Sequence, residues 1–170
     1  MIIRQERPSD YAEVYELVKV SFATTSHSDG TEPDYLNDLR KKDVFIPELS
    51  LVAENDDGRL VGQIVLYRTD ITTPEGTLTE LVLSPICVHP DYFQRGIARA
   101  MIEEALNRAG GMGFRAVFLC GDPDIYGRLG FIPSYRYNIF HTNDKTADWS
   151  MVRKLYVGSL AGITGTIDIV

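Results

Sequence analysis

Apolar residues along this chain change their period several times, and each change marks an element. Ile2-Ile3 ahead of Arg4 reads as a short first strand. Pro8-Ser9-Asp10 supplies N-capping side chains. Tyr11, Val14, Tyr15, Leu17, Val18 and Phe22 then recur at spacings of three and four, the stripe of an amphipathic helix. A polar loop of small residues follows over 23–30, and a second short helix is predicted over Glu32–Lys42, ended by the loop around Pro47. From Leu49 the pattern turns strand-like. Leu49–Glu54 and Leu60–Tyr67 flank Asn55-Asp56-Asp57-Gly58, a turn with the Asp-Gly pair that hairpins favour. Thr73-Pro74-Glu75-Gly76 marks another turn before a long strand Thr77–Val88. Within it, Ser84-Pro85 predicts a bulge or an end to pairing, because proline brings no ladder donor.

Beyond His89-Pro90-Asp91 a helix opens at Gly96 and runs to about Ala109. Ile97, Ala98, Met101, Ile102, Ala105 and Leu106 share one face, while Arg99, Glu103, Glu104, Asn107 and Arg108 take the other, as in a helix that covers a sheet. Gly110-Gly111 stops it. Phe114–Cys120 has the length of a strand, and Asp122–Leu129 reads as a short helix with Pro123 in its first turn. Alternating segments at Tyr135–Phe140 and Met151–Val157 close the chain. The expectation is one mixed α/β (α+β) domain over residues 1–170, built on a central sheet.

Composition narrows the function. At 170 residues and 44% apolar, the chain can bury a single core and is not disordered. No run approaches the roughly 20 apolar residues of a membrane span, and the start turns charged at Arg4 without a signal-like apolar segment. Two cysteines make no disulfide framework, so a reduced, cytoplasmic protein is expected. Seventeen bases against 24 acids give a net charge of −7 without a basic cluster, which excludes nucleic acid as a partner. The charge is uneven: residues 1–60 hold 13 acids and 7 bases, and residues 61–170 hold 11 and 10.

Two patterns are decoys. Gly111-Met112-Gly113-Phe114-Arg115-Ala116 spells a dinucleotide fingerprint, yet it follows a helix and opens a strand, the reverse of what that site requires. His27, His89 and His141 have no metal-ligand spacing, so no metal is expected. The informative stretch is Ser84–Ala100. A strand ends, a polar turn follows, and a glycine-containing segment begins a helix whose leading N–H groups are unpaired and carry the positive end of its dipole. Phosphates bind at such junctions, and Arg95 and Arg99 add charge there. Downstream, Tyr126 in Tyr126-Gly127-Arg128-Leu129-Gly130-Phe131 offers a hydroxyl able to protonate a leaving group at a cleft.

Ile86-Cys87-Val88-His89-Pro90-Asp91-Tyr92-Phe93-Gln94-Arg95-Gly96-Ile97-Ala98 resembles the acetyl-coenzyme A motif of the GNAT N-acetyltransferases, and Tyr126–Phe131 resembles that family's Tyr-x-x-x-Gly-Phe segment. Phe93 stands where the family usually has Gln or Arg. Ser26-His27-Ser28-Asp29-Gly30, Gly121-Asp122-Pro123 and a tail with Gly158 and Gly165 are similar to the YhbS-like branch. The resemblance implies a single GNAT-like domain with a mixed, mostly antiparallel sheet, flanked by helices and splayed after its fourth strand. It implies direct acetyl transfer from acetyl-coenzyme A, without a metal, to the amine of a small molecule or a peptide. Ile86, Cys87 and Val88 would pair with the pantetheine arm. Phe93, Gln94, Arg95, Gly96, Ile97, Ala98 and Arg99 would surround the pyrophosphate.

Tyr126 would then protonate the leaving thiolate, and Glu80, directly or through water, would take the amine's proton. His27, Asp29 and Glu32, in the acidic N-terminal third, would border a small cationic acceptor. Cys87 and Cys120 are expected to be buried small hydrophobes rather than nucleophiles. The competing expectation is a non-catalytic acyl-coenzyme A sensor, and strands near the C-terminus leave homodimer pairing open.

Overall fold

β1 (Ile2–Gln5) lies antiparallel to the end of β2 (Phe45–Glu54), with Ile2 opposite Glu54 and Gln5 opposite Leu51. The computed structural model describes residues 1–26 and 28–170. The chain forms two compact units, Met1–Leu66 with Ser84–Arg108, and Tyr67–Leu83 with Ala109–Val170. β3 (Leu60–Thr73) and β4 (Gly76–Val88) are long enough to contribute one part to each.

In the first unit β2 lies between β1 and β3. The helix predicted from its stripe is α1 (Tyr11–Phe22), which buries Val14, Leu17 and Val18; Glu13 Oε2 accepts the Leu60 N–H at 2.7 Å and ties the helix to β3. α2 (Glu32–Leu39) is shorter than the expected Glu32–Lys42, because Lys41 N–H donates to Asp38 O and Lys42 N–H to Leu39 O, three-residue turns that close the helix. Pro47 lies inside β2 rather than in a loop. Pairing with β1 begins only at Leu51, so the missing proline N–H is not needed on that side. Behind α2, Arg40 forks onto Glu6 (Nε to Oε1 3.0 Å, Nη2 to Oε2 2.7 Å). Ser50 Oγ donates to the same carboxylate at 3.0 Å, and the guanidinium lies 4.1 Å above the Tyr11 ring.

α3 (Ile97–Gly111) buries the predicted face at Ile97, Met101, Ile102, Ala105 and Leu106. Gly62 of β3 allows that close packing: a Cβ there would stand 2.9 Å from Met101 Sδ and 3.2 Å from Ile97 Cγ2. β4 does not stop at Pro85 but runs to Val88, and Gln63 Nε2 approaches the Pro85 carbonyl at 3.4 Å.

In the second unit β5 (Ala116–Cys120) runs parallel to β4, with Leu81 opposite Val117 and Val82 opposite Phe118; the ladder ends there while β4 continues to Val88. The short helix is α4 (Pro123–Tyr126), followed by β6 (Ile132–Pro133), β7 (Ile139–His141), β8 (Ser150–Lys154) and β9 (Gly165–Ile167). β8 pairs antiparallel with β5 and β6. β9 spends both edges inside the chain, antiparallel on β3 and parallel on β7. At Gly165 a Cβ would fall 2.5 Å from the Thr72 carbonyl oxygen, so only a bare backbone lets β9 reach β3. The expected strand over Tyr135–Phe140 is instead a 3-10 turn (Ser134–Tyr137) and then β7, separated by Asn138 at φ 62. Phe118, Val152, Ile71, Ile139 and Ile167 centre this unit's core. The sheet is mixed and mostly antiparallel, as expected. Among the described residues no helix is long and apolar enough to cross a membrane.

The Arg40–Glu6 pair yields a stability prediction. Arg40→Met strands a buried carboxylate and should cost about 3–5 kcal/mol, read by denaturant unfolding. The double variant Glu6→Leu with Arg40→Met should recover most of that loss.

Candidate active site

The first unit carries the strand-to-helix junction. Val88 ends β4, and the next N–H, of His89, donates to the Val61 carbonyl at 2.8 Å, which holds the chain to β3 as it leaves the sheet. A 3-10 turn over Pro90–Tyr92 follows, with His89 Nδ1 accepting the Asp91 N–H at 3.1 Å. Gln94 (φ 59) and Gly96 (φ +78) are both left-handed on either side of Arg95, and the space where a Gly96 Cβ would stand is open. Ala100 N–H to Gly96 O, 3.0 Å, is an i→i−4 bond at the head of α3. The N–H groups of Ile97 and Ala98 precede it, and a helix supplies its leading N–H groups with no carbonyl of its own. Such groups, with the helix dipole behind them, are able to hold an anion, and at Gly96 no neighbouring atom fills the space above the backbone. Phe93 is 52% exposed beside it.

The second unit carries the tyrosine. Asp122 caps α4 by accepting the Asp124 N–H at 2.8 Å. Gly130 (φ +89) then reverses the chain, so that Phe131 N–H reaches the Tyr126 carbonyl at 3.1 Å and the two rings meet edge-on, 6.0 Å between centroids. That geometry accounts for the Tyr-x-x-x-Gly-Phe spacing. On its other side the ring covers Gly121, where a Cβ would lie 2.5 Å from Tyr126 Cε2. Burial pushes the Tyr126 hydroxyl above the ordinary tyrosine range, so it remains protonated at neutral pH.

Glu80 does not sit with Tyr126. It is buried opposite the start of β5, its Oε1 accepting the N–H groups of Arg115 (2.7 Å) and Ala116 (3.3 Å) and its Oε2 receiving Arg115 Nη1 (3.2 Å). Gly121 follows the far end of that strand, about 13 Å of extended chain away. The sequence places Glu80 on the right strand but does not reveal which end of the ladder it occupies.

Asp29 Oδ1 accepts both the backbone N–H (3.0 Å) and the hydroxyl of Thr31, and these bonds hold its carboxyl below the usual range. Glu32 opens α2, and its Oε2 is buried with no hydrogen-bond partner among the described residues. His27 lies outside the described residues. Cys87 is pushed up to about 12 by burial, slightly offset by Ser21, and Cys120 to about 11 by burial alone.

The family described as "Acetyltransferase (GNAT) domain" matches residues 2–133. The chain belongs to the GNAT acetyltransferases. It is 29% identical over 168 residues to the uncharacterized N-acetyltransferase YhbS of Escherichia coli K12, covering 99% of this chain and 95% of that one. The crystal structure of Escherichia coli YhbS in complex with CoA superposes with a TM-score of 0.82 at 26% identity, over 99% of this chain and 89% of the other. A GNAT family acetyltransferase from Brucella melitensis in complex with acetyl-CoA gives a TM-score of 0.68 at 32% identity, over 76% and 81%. This GNAT chain is therefore an acetyltransferase that uses acetyl-coenzyme A, and the uncovered α3 N-terminus beside left-handed Gln94 and Gly96 suits that anionic donor. Asn55, whose amide reaches the Tyr92 hydroxyl at 3.0 Å, escaped the sequence reading because it looks like an ordinary turn residue.

The raised thiols give a test of the chemistry. Neither cysteine should act as a nucleophile, and iodoacetamide at neutral pH should label the folded GNAT protein about a hundredfold more slowly than a free cysteine. Denaturation should restore fast labelling of both.

Proposed function

We propose that this acetyltransferase acetylates the primary amine of a small cationic acceptor, by direct attack and without an acyl-enzyme. The observation that carries the acceptor class is Glu32 Oε2, a buried carboxylate oxygen without a partner among the described residues. A buried anion left unpaired is costly, and an ammonium group placed against it removes that cost. Asp29, whose carboxyl the Thr31 bonds hold below the usual range, adds a second negative charge just before α2. The excess of acids over bases in residues 1–60 favours the same class of ligand.

Acetyl-coenzyme A supplies an activated thioester. In the proposal the backbone of Ile86–Val88 pairs with its amide-bearing arm, and the N–H groups of the 93–99 segment, with Arg95 and Arg99, hold its phosphates. A backbone N–H near Val88 stabilises the charge that develops on the thioester oxygen. Tyr126, kept protonated by burial, gives its proton to the departing sulfur. The acceptor's proton leaves to water. Glu80 is not asked to take it, since its oxygens already receive three donors at the start of β5. We assign Glu80 instead to positioning that strand.

Release of free thiol from acetyl-coenzyme A across a panel of amines tests the reading. Di- and polyamines should outperform neutral amines, and Glu32→Gln should raise KM for them about tenfold while leaving coenzyme A affinity unchanged. Equal use of neutral and cationic amines would remove the acceptor claim. Binding of the donor without turnover on any amine would favour a sensor instead. Tyr126→Phe should lower kcat about a hundredfold or more. With the unsubstituted tyrosine, kcat should fall only as pH rises through the hydroxyl's raised pKa, beyond the ordinary tyrosine range. That descending limb should vanish in Tyr126→Phe.

A further inference from the structure

We infer that the turn between β2 and β3 clamps the phosphate segment from behind, with Asn55 and Tyr92 as positioning residues for Arg95. The inference rests on the reading of residues 93–99 as the pyrophosphate seat. Asn55 opens the turn, and its Oδ1 accepts the N–H groups of Asp57 (3.0 Å) and Arg59 (2.9 Å). Those two donors fix which way the amide faces, because a flipped amide would present N–H to N–H. Its Nδ2 therefore points away from the turn, and there it donates to the Tyr92 hydroxyl at 3.0 Å.

Tyr92 is fixed a second time. Its ring meets the His89 ring edge-on at 6.0 Å, and its N–H donates to the His89 carbonyl at 2.8 Å. The ring cannot swing without losing its contact with His89 and its hydroxyl's bond to Asn55, and its face lies 4.8 Å beneath the Arg95 guanidinium. Arg95 is exposed, and a long exposed cation ordinarily samples many rotamers. A cation–π platform held by a hydrogen bond narrows that range before any ligand arrives, so less ordering is left for the binding step. Arg95 also stands between the two left-handed residues Gln94 and Gly96, so its stem is aimed by the same segment that exposes the N–H groups of α3. The clamp thus joins a hairpin turn, which touches no substrate itself, to the charge that would meet a diphosphate.

The test compares acetyl-coenzyme A with acetyl-pantetheine, which has the same thioester and amide arm but no pyrophosphate. Tyr92→Leu should raise KM for acetyl-coenzyme A about fivefold to tenfold and leave saturated kcat and the KM for acetyl-pantetheine unchanged. Tyr92→Leu introduced into Arg95→Ala should add little to the loss from Arg95→Ala alone, since without the guanidinium the platform has nothing to position. Asn55→Asp should behave like the unaltered protein, because one carboxylate oxygen keeps the turn donors and the other accepts the Tyr92 hydroxyl. Asn55→Ala should resemble Tyr92→Leu. A Tyr92→Leu effect of equal size on both donors, or on neither, overturns the clamp. If the unaltered protein uses both donors with the same KM, the phosphate-seat reading itself fails and takes the clamp with it.

Discussion

A carboxylate buried in a sheet must find donors, and Glu80 finds three on Arg115 and Ala116, where the chain enters β5. Much of the second unit follows from that requirement. Two of the donors are backbone N–H groups, so the contact fixes where β5 begins against β4. The parallel register, Leu81 with Val117 and Val82 with Phe118, continues from that point. A register set at Ala116 also sets where the strand ends at Cys120. Gly121 and the Asp122 cap come next, and they deliver Tyr126 onto a bare backbone. A charged side chain at one end of a strand thus fixes the place of a hydroxyl beyond the other end.

The first unit solves a different problem. An anion seat needs exposed N–H groups, and exposed N–H groups need a rigid frame to keep their direction. Close packing of α3 on β3 at Gly62 supplies the frame under the helix. The His89–Val61 bond and the Asn55–Tyr92 contact supply it under the loop.

How much of this was legible depended on the range of each interaction. The stripes of α1 and α3 are local, and the structure buries Val14, Leu17 and Val18 of the first and Ile97, Met101, Ile102, Ala105 and Leu106 of the second, while Tyr11, Tyr15, Phe22 and Ala98 are only partly covered. The junction Ser84–Ala100 and the spacing from Tyr126 to Phe131 were also visible, because turn chemistry and a left-handed glycine write themselves into short motifs. Pro47 misled because a proline's tolerance in a strand depends on which neighbour that strand has, a fact of pairing rather than of sequence. Glu80 misled for the same kind of reason: its partners Arg115 and Ala116 lie 35 and 36 residues away. β6 and β9, two and three residues long, carry too little period to be seen, and β9 is declared only by the tight approach of Gly165 to Thr72.

The proposed transfer turns on two contacts with the donor, its phosphates at the head of α3 and its sulfur at Tyr126. A crystal structure of the chain with coenzyme A tests it most directly. The expected result is a pyrophosphate over the N–H groups of the 94–99 segment, with the coenzyme sulfur within hydrogen-bonding distance of the Tyr126 hydroxyl. A pyrophosphate bound elsewhere, or a sulfur that ends away from Tyr126, would contradict it.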